Sequence, residues 1–340
     1  MKSYIYEKGS KGLDNLKIVE RDKPVPGPSQ VLVKVHATSL NFRDQAILSG
    51  NYFGGSVARD TVPLSDGAGE VEAVGAGVTR FKPGDRVASC FFQDWPDGSR
   101  PPHPGKALGS PLDGMLAEYV TLSEEGLVPI PRHLTYEEAA TLPCAAVTAW
   151  HALIATGHLK AGQTVLCLGT GGVSMFALQI AKAAGARVII TSSSDAKLEK
   201  ARALGADATV NYTTHPDWEQ EVLALTDGQG VDNVVEIGGV GTLNKSFKCC
   251  GYKGQVSLIG VLAQRNDDIN PHGLMLKGGR LQGIFVGHRA MFEDLNACIE
   301  VNGIRPVIDR VFEFENAPDA WSYELSGRHM GKVVIRVAAA

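Results

Sequence analysis

Hydrophobic residues are spaced in three different ways along this chain, and the spacing predicts its organisation. Up to residue 124 they alternate with polar residues, as in 30–37 (QVLVKVHA), and such alternation predicts half-buried β-strands. From 125 to 288, short continuous apolar runs alternate with segments of helical spacing, which predicts buried parallel strands covered by helices. Alternating strands return in 289–340. We therefore predict a mostly β first domain over 1–124, an α/β domain with a doubly wound parallel sheet over 125–288, and a segment, 289–340, that returns to the first domain.

The most informative stretch is 165–174, which reads VLCLGTGGVS. A short apolar run ends in glycines, and the apolar residues that follow recur at helical spacing, which predicts strand, turn and helix. In that context a glycine fingerprint marks a dinucleotide site, because the first glycine permits a tight turn and the second lets the backbone approach a pyrophosphate. The third fingerprint glycine is replaced by Ser174, which is small enough to be tolerated at some cost. The start of the helix adds free N–H groups that can bind phosphate. The predicted cofactor-binding residues of this stretch are Gly169, Gly171, Gly172 and Val173.

Later strands of the predicted α/β domain also end in glycine, at residues 238, 239, 260 and 287. Ligands of doubly wound sheets bind at the carboxyl ends of the strands, so the backbone could approach a cofactor at these positions. The same glycines could equally be plain strand-to-loop turns, and the sequence leaves both interpretations open. On the first interpretation we assign Gly238, Gly260 and Val286 to the cofactor site.

The overall composition limits the classes of function. The chain has 340 residues, 44% of them hydrophobic and 21% charged, and a net charge of −4. This balance gives no support for nucleic-acid binding or for attachment to a membrane surface. The first residues lack an apolar signal core, no stretch is long and apolar enough to span a membrane, and the cysteines form no C-x-x-C pair. We therefore expect a cytoplasmic globular protein with reduced thiols.

Four stretches of the sequence together resemble one family. They are DGAGEVEAVGAGVTRFKPGDRV (66–87), AATLPCAAVTAWHAL (139–153), the region 165–194 and ARALGADATVNY (201–212). On these residues the chain resembles the medium-chain dehydrogenase/reductase superfamily, on its zinc-independent, quinone-oxidoreductase-like side. The resemblance implies a GroES-like catalytic domain interrupted by a Rossmann domain, an active site in the cleft between them, and a homodimer or a tetramer.

The resemblance also bears on zinc. Zinc members of the superfamily bind their catalytic metal through two Cys and one His. The resemblance places these ligands at Asn41, Ser65 and Cys144, so only Cys144 retains a metal-binding side chain, and the Glu beside the His becomes Asp66. The lobe that holds structural zinc through four Cys would fall near 90–113, which contains a single Cys. We therefore predict a metal-free protein in which Cys144 is a packed small residue.

The end of the second predicted Rossmann strand bears on the choice of cofactor. NAD enzymes carry an acidic residue there that hydrogen-bonds the ribose 2′-OH. Here the strand 187–191 is followed by three serines, and without a carboxylate nothing repels a 2′-phosphate. We therefore predict NADP(H) in preference to NAD(H), and we assign Ser192 and Ser193 to its site.

Two further residues complete the predicted phosphate site. The resemblance places Lys197 and Tyr212 where NADPH-dependent quinone reductases hold the 2′-phosphate. Two alternatives stay open. Ser194 could cap a helix that carries Lys197 on a solvated face, and Asp195 could reach a ribose, as the acidic residue of an NAD enzyme does.

Without a metal, an oxyanion that develops during hydride transfer needs hydrogen-bond donors. The resemblance implies that Asn41 and Tyr52 line the substrate cleft and that Thr148 lies near the nicotinamide. The Asn41 amide and the Tyr52 phenol are both donors, and we predict them as the catalytic residues. We expect Asp44 to be structural and His151 to be a core histidine.

These observations predict an NADPH-dependent, zinc-free oxidoreductase that transfers hydride to a quinone or an α,β-unsaturated carbonyl. Such substrates need no strong acid, since solvent can protonate the product, whereas simple ketones are harder to reduce without a Lewis acid. A metal-free alcohol or aldehyde dehydrogenase is the alternative within enzymes. A nucleotide-binding protein with little turnover is the alternative from another class.

Overall fold

The computed structural model describes residues 1–9, 11–52, 57–262 and 268–338. Its internal contacts divide the chain into two compact units. The first unit is formed by Met1–Val147 with His288–Ala340, and the second unit by Thr148–Gly287. Each unit has a sheet and a hydrophobic core of its own. Among the described residues, no helix combines the length and the apolar character that crossing a membrane requires.

The part of the first unit that precedes residue 147 is mostly β, as the alternating pattern predicts. Its longest strand is buried along most of its length and pairs antiparallel with the next strand. The elements are β1 (Lys2–Tyr6), β2 (Leu16–Glu20), β3 (Gln30–Ser39), α1 (Phe42–Leu48), β4 (Asp66–Val74), β5 (Arg86–Ser89), β6 (Tyr119–Ser123), β7 (Leu127–Pro129), α2 (Tyr136–Ala139) and a π-helical segment at Leu142–Ala146.

The second unit alternates strands and helices. Its elements are α3 (Val147–Trp150, which starts in the first unit), a π-helical segment at His151–Ala155, β8 (Thr164–Cys167), α4 (Gly172–Ala183), β9 (Arg187–Ser192), α5 (Asp195–Ala203), β10 (Ala208–Asn211), α6 (Trp218–Ala224), β11 (Val231–Glu236), α7 (Val240–Cys249), β12 (Cys250–Leu258), α8 (His272–Leu276) and β13 (Arg280–Gly283).

The strands of the second unit form a parallel sheet in the order β10-β9-β8-β11-β12-β13. The strand order reverses beside β8, because β9 and β10 follow on one side of it and β11, β12 and β13 on the other. Doubly wound sheets bind their ligands at such a switch point. The central strands carry the fully buried residues Leu166, Ile189 and Val234, which explains their continuous apolar runs. The predicted fold class, a mostly β domain with a Rossmann domain, is confirmed.

The last stretch of the chain completes the first unit. Its elements are α9 (Arg289–Asn302), β14 (Ile308–Glu313), α10 (Ala317–Leu325) and β15 (Lys332–Arg336). Strand β15 pairs antiparallel with β3 and parallel with β14. The larger sheet of the first unit therefore runs in the order β14-β15-β3-β4-β5-β7, with β6 paired to β3, and β1 and β2 form a separate two-stranded sheet.

The boundaries of the units differ from the predicted domain boundaries of 1–124, 125–288 and 289–340 mainly at the first one, and at the second by one residue, because His288 belongs to the first unit. The structure assigns residues 125–147 to the first unit, because β7 pairs with β5 and α2 packs against β3 and β4. The spacing of hydrophobic residues changes after residue 124 because the first helical segments after the β-rich region begin there. These helices belong to the β-rich unit.

The segment 91–113 is rich in prolines and glycines, and it also contributes to the core of the first unit. Phe91, Phe92 and Trp95 are buried. The Phe91 and Phe92 rings meet edge to face at 4.8 Å, and the Phe92 and Trp95 rings do so at 5.7 Å. Prolines and glycines therefore indicate the irregular backbone of this segment, whereas its aromatic residues anchor it to the core.

Candidate active site

The turn between β8 and α4 contains two glycines with different structural roles. Gly169 has a φ of +70°, which disfavours residues with a side chain, and a Cβ there would lie 3.3 Å from the Ile237 side chain. Gly171 is in the extended region, with φ −76° and ψ −176°. A Cβ at Gly171 would meet no described protein atom within 4 Å. The chain itself therefore requires a glycine at 169, whereas the glycine at 171 leaves open space beside the start of α4.

The start of α4 offers the donors that a pyrophosphate needs. The helix begins at Gly172, and the N–H groups of its first turn, including that of Val173, have no acceptor within the helix ladder. Ser174, which replaces the third fingerprint glycine, is buried, and its hydroxyl donates to the Leu168 carbonyl at 2.6 Å. The serine thus joins the helix to the end of the strand, which explains how it is accommodated at this position.

The predicted 2′-phosphate residues lie at the ends of β9 and β10. The Tyr212 N–H donates to the Ser192 carbonyl at 3.0 Å, so these two strand ends are adjacent. Ser193 is exposed, and so is 42% of Tyr212. The Ser194 hydroxyl accepts a hydrogen bond from the Lys197 N–H at 3.4 Å and caps α5. The capping that we considered as an alternative role of Ser194 is therefore present, and it places Lys197 in the first turn beside the serines.

Asp195, the residue that argued for NAD, contacts the neighbouring strand. Its Oδ1 accepts a hydrogen bond from Asn211 Nδ2 at 2.7 Å. A carboxylate oxygen held in this way is less available to a ribose hydroxyl, because binding the ribose would compete with the existing hydrogen bond.

A buried carboxylate organises the turn that follows β11. Glu236 is fully buried, and its Oε1 accepts hydrogen bonds from the N–H groups of Gly238 at 2.7 Å and Gly239 at 3.0 Å and from the Thr242 hydroxyl at 2.6 Å. Its Oε2 accepts a further bond from the Ser246 hydroxyl. One side chain therefore sets the backbone of the glycine turn and ties it to α7.

Two strand-end glycines of the predicted cofactor site are required by packing within the second unit. A Cβ at Gly238 would lie 2.2 Å from the Thr242 hydroxyl oxygen, and a Cβ at Gly260 would lie 2.1 Å from the Ile237 carbonyl oxygen. Both distances are too short for a side chain. Of the two interpretations that the sequence left open, tight packing of the turns therefore has direct structural support, and a role in cofactor binding stays a prediction.

Val286 has a backbone conformation that β-branched residues rarely adopt. It is buried and has a φ of +53°. The Nδ1 atom of His151 lies 2.6 Å from the Val286 carbonyl oxygen, and burial lowers the pKa of the His151 ring. His151 is therefore a partly buried, hydrogen-bonded histidine that holds this segment. Thr148, which we predict to lie near the nicotinamide, is buried in α3.

In the first unit, Asn41 is held from two sides. It precedes α1, and its backbone N–H donates to Asp44 Oδ2 at 2.8 Å. Its side-chain Oδ1 accepts a hydrogen bond from Lys332 Nζ at 2.6 Å. Its Nδ2 is buried and has no hydrogen-bond partner within the described ranges. Asn41 thus presents an amide donor that the protein does not use.

Tyr52 lies beside a buried arginine. The Arg43 guanidinium carbon is 5.1 Å from the centre of the Tyr52 ring and 4.6 Å from that of Phe91. Arg43 also lies 3.7 Å from the Asp44 carboxylate, and burial raises the pKa of Asp44 to about 7 against the lowering effect of the arginine. Asp44 therefore both pairs with Arg43 and caps α1, which agrees with a structural role.

The residues that the resemblance places at the zinc-ligand positions lie around an ion pair between Lys332 and Asp66. Lys332 and Asp66 are buried, and Lys332 Nζ lies 3.7 Å from Asp66 Oδ2. The Ser65 hydroxyl donates to Asp66 Oδ1 at 2.7 Å, and the Cys144 N–H donates to Asp66 Oδ2 at 3.2 Å. Burial, followed by the Asp66 carboxylate, raises the pKa of the Cys144 thiol well above its usual value. Of the three residues that the resemblance places at the zinc-ligand positions, Cys144 alone has a side chain that commonly binds Zn²⁺, so these positions do not provide the two Cys and one His of a catalytic zinc site.

The rest of the described chain also offers no such set, since no group of three or more His, Cys, Asp or Glu residues is arranged to hold a metal ion there. Sequence reasoning missed both Lys332 and Glu236. A carboxylate that ends an apolar strand and precedes two glycines is a local signal for Glu236. Lys332 gives no comparable signal, because its partners are distant in the sequence.

Comparison with known proteins identifies the class of this protein. Residues 27–132 match the family model described as alcohol dehydrogenase GroES-like domain, and residues 172–300 match the one described as zinc-binding dehydrogenase. A zinc-type alcohol dehydrogenase-like protein of Schizosaccharomyces pombe is 43% identical over 342 residues, which cover 98% of this chain and 99% of that protein. A quinone oxidoreductase of Pseudomonas aeruginosa is 34% identical over 91% of this chain and 92% of that protein.

A solved structure described as an NAD-dependent alcohol dehydrogenase is 33% identical, covers 99% of this chain and all of its own, and has a TM-score of 0.92. The fold and these relatives define a two-unit oxidoreductase whose homologues use nicotinamide cofactors. The chain belongs to the medium-chain dehydrogenase/reductase superfamily, and the superfamily that the sequence motifs predict is thereby confirmed.

Proposed function

We propose that this protein is an NADPH-dependent reductase of quinones or α,β-unsaturated carbonyls that works without zinc. The observation that carries the proposal is the Lys332 ammonium group, which contacts Asn41, at a position assigned to a metal ligand, and pairs with Asp66, which follows a second such position at Ser65. The relative from Pseudomonas aeruginosa, a quinone oxidoreductase, agrees with the substrate class. When bound, the nicotinamide supplies the hydride.

The proposed substrates match what the first unit can offer. Asn41 Nδ2 and the Tyr52 hydroxyl are neutral donors, and one donor to a developing oxyanion is worth roughly 10²–10³ in rate. The oxyanion of a reduced quinone or enone is delocalised, so neutral donors stabilise it and solvent completes the protonation. A simple ketone would leave a localised alkoxide, for which a Lewis acid is the usual solution.

The function is tested by steady-state assays with NADPH against matched panels of quinones, enones and simple ketones, before and after dialysis against a chelator. We expect turnover of quinones or enones that survives chelation, together with no stoichiometric zinc by elemental analysis. About one zinc per chain, removed together with the activity, would contradict the metal-free part of the proposal.

An alcohol dehydrogenase is the second candidate, because one relative carries the name zinc-type alcohol dehydrogenase-like and a similar structure is described as an alcohol dehydrogenase. Alcohol-dependent reduction of NAD(P)⁺ that exceeds quinone and enone reduction would favour it. Tight cofactor binding with no turnover on any panel would favour a nucleotide-binding protein.

Lys197→Ala tests the choice of cofactor. We expect the dissociation constant of NADPH to rise about 10- to 100-fold, because a charge-assisted bond to phosphate contributes about 1.5–3 kcal/mol. The dissociation constant of NADH should stay unchanged, since NADH lacks the 2′-phosphate. Lys200→Ala, which removes an exposed lysine from the same helix, is the matched control. Equal weakening of both cofactors by Lys197→Ala would show that Lys197 does not bind the 2′-phosphate.

We further propose a homodimer formed through the β13 edge of the second unit's sheet. Every residue of β13 is exposed, and Met275, Leu276 and Leu281 are exposed apolar side chains at this edge, at 66%, 80% and 44%. An edge strand with apolar neighbours is a favourable surface for association. Light scattering should give about twice the chain mass of 36.1 kDa, and Leu281→Lys should shift it toward the monomer. A wild-type monomer at micromolar concentration would contradict the proposal.

A further inference from the structure

Lys332 is the first residue of β15 and one of the most deeply buried charged residues of the first unit, with 3% of its side chain exposed. Its Nζ donates to Asn41 Oδ1 at 2.6 Å and to the Leu40 carbonyl, and it lies 3.7 Å from Asp66 Oδ2. Asp66 is fully buried as well. Burying such a pair seldom adds stability over apolar residues of similar size, so a role beyond stability is favoured.

The Asp66 carboxylate is itself held in place by two hydrogen bonds. The Ser65 hydroxyl bonds one carboxylate oxygen, and the Cys144 N–H bonds the other. Of the three positions that the resemblance assigns to zinc ligands, Asn41 contacts the Lys332 ammonium group directly, and Ser65 and Cys144 contact its partner Asp66. A positive charge therefore lies here that is held by hydrogen bonds and an ion pair.

The ammonium group determines which end of the Asn41 amide faces it. A lysine can only donate hydrogen bonds, so the atom that it contacts must be the amide oxygen. The amide nitrogen is therefore turned away from Lys332, and Nδ2 is buried without a partner among the described residues. A buried donor without an acceptor is unfavourable, which indicates that a ligand atom supplies the acceptor.

We propose that Lys332, anchored by Asp66, is a positioning residue that locks the Asn41 amide with its NH₂ group toward the substrate. This inference rests on the proposed function, in which Asn41 donates to the developing oxyanion. The locked amide favours an oxygen that can only accept hydrogen bonds, such as a quinone or enone carbonyl oxygen, over a group that must donate. Rotation of the amide by 180° would present an acceptor instead and would repel the oxyanion.

The test is a double-mutant cycle between Asn41 and Lys332, measured with NADPH and the best quinone or enone substrate. Lys332→Met combined with Asp66→Asn removes both buried charges, so that neither is left unpaired. We expect Asn41→Ala to lower kcat about 100-fold and the charge-removing pair to lower it about 10- to 50-fold. Added to Asn41→Ala, the pair should lower kcat by less than about threefold, because both changes remove the same donor.

Two further variants distinguish positioning from a merely structural role. Lys332→Arg should retain most of the activity, since arginine also only donates, whereas Lys332→Gln should lose it, since its side chain can also accept. Lys182→Met is the matched control, because Lys182 likewise pairs with an aspartate, Asp207 at 2.9 Å, and donates to the Ala186 carbonyl at 3.1 Å. It should leave kcat unchanged.

The outcomes separate the two proposals. The Lys332 and Asp66 changes could lower kcat by the same factor in the wild type and in Asn41→Ala. That result would overturn the positioning role and leave Asn41 as the donor. Full activity of Asn41→Ala would overturn Asn41 as the donor and the positioning role with it. If the wild type reduces neither quinones nor enones, the proposed function fails. The double-mutant cycle is then measured with the alcohol or aldehyde that the enzyme does convert. An enzyme that converts none of these substrates overturns both proposals.

Discussion

Replacing Gly171 with alanine is expected to weaken NADPH binding by about 10- to 100-fold, equivalent to about 1.4–2.8 kcal/mol, without lowering the melting temperature. The structure gives the reason for both halves of this result. A Cβ at Gly171 meets no described protein atom within 4 Å, and φ there is −76°, which alanine adopts readily. The added methyl group would instead occupy the open space that we assign to the pyrophosphate. The unfolded chain also loses freedom, so the stability should stay constant or rise by about 0.4–1 kcal/mol.

Fluorescence titration with NADPH and thermal unfolding of the apoprotein measure these two quantities on one variant. Gly273→Ala is the matched control, because a Cβ there has its nearest contact at 4.0 Å and its position is outside the predicted cofactor site. An unchanged NADPH dissociation constant in Gly171→Ala would refute the assignment of this turn to the pyrophosphate. A lowered melting temperature with unchanged affinity would show that the turn is only a connector.

Glu236→Leu is expected to lower the free energy of unfolding by about 3–5 kcal/mol, because each buried donor left without an acceptor costs about 1–3 kcal/mol and part of this is recovered by relaxation. The donors concerned are the N–H groups of Gly238 and Gly239 and the hydroxyls of Thr242 and Ser246. Glu236→Gln keeps one acceptor oxygen and should lose less, about 1–2 kcal/mol. Both variants should also weaken cofactor binding if the turn that they disturb contacts the cofactor.

Urea unfolding followed by circular dichroism measures the effect. Glu221→Leu on α6 of the same unit is the control, since its carboxylate is 47% exposed and is expected to change stability by no more than about 0.5 kcal/mol. A Glu236→Leu protein as stable as this control would show that the buried hydrogen bonds around Glu236 contribute little. Unaltered NADPH affinity in a folded Glu236→Gln protein would separate the turn from the cofactor site.

The features that the sequence predicts well are those that depend on residues close together in the chain. The strand, turn and helix around Gly169 and Gly171 are encoded within about ten positions, so spacing alone identifies them. The Glu236 network is also local, because its donors lie within ten positions of it. Spacing alone does not identify it, because the sequence does not show that this acidic residue is buried and accepts hydrogen bonds from the turn that follows.

The first unit was harder to predict because its site depends on contacts between distant parts of the chain. Lys332 and Asn41 are 291 positions apart, and no spacing rule links them. The boundary predicted after residue 124 differs from the unit boundary after Val147 for the same reason. The pairing of β7 with β5 assigns 125–147 to the first unit, and a change from strands to helices in the sequence does not reveal that pairing.

The route of the chain through its two units has a consequence for the order of folding during synthesis. The second unit is one uninterrupted segment, Thr148–Gly287, and all of it is available before the final strands have left the ribosome. The first unit is different, because β3 receives its neighbour β15 only after the whole second unit has been synthesised. Until then, the hydrogen bond from Lys332 to Asn41 cannot form. The nascent chain can therefore complete the parallel sheet of its second unit before the proposed substrate donor of its first unit has its lysine partner.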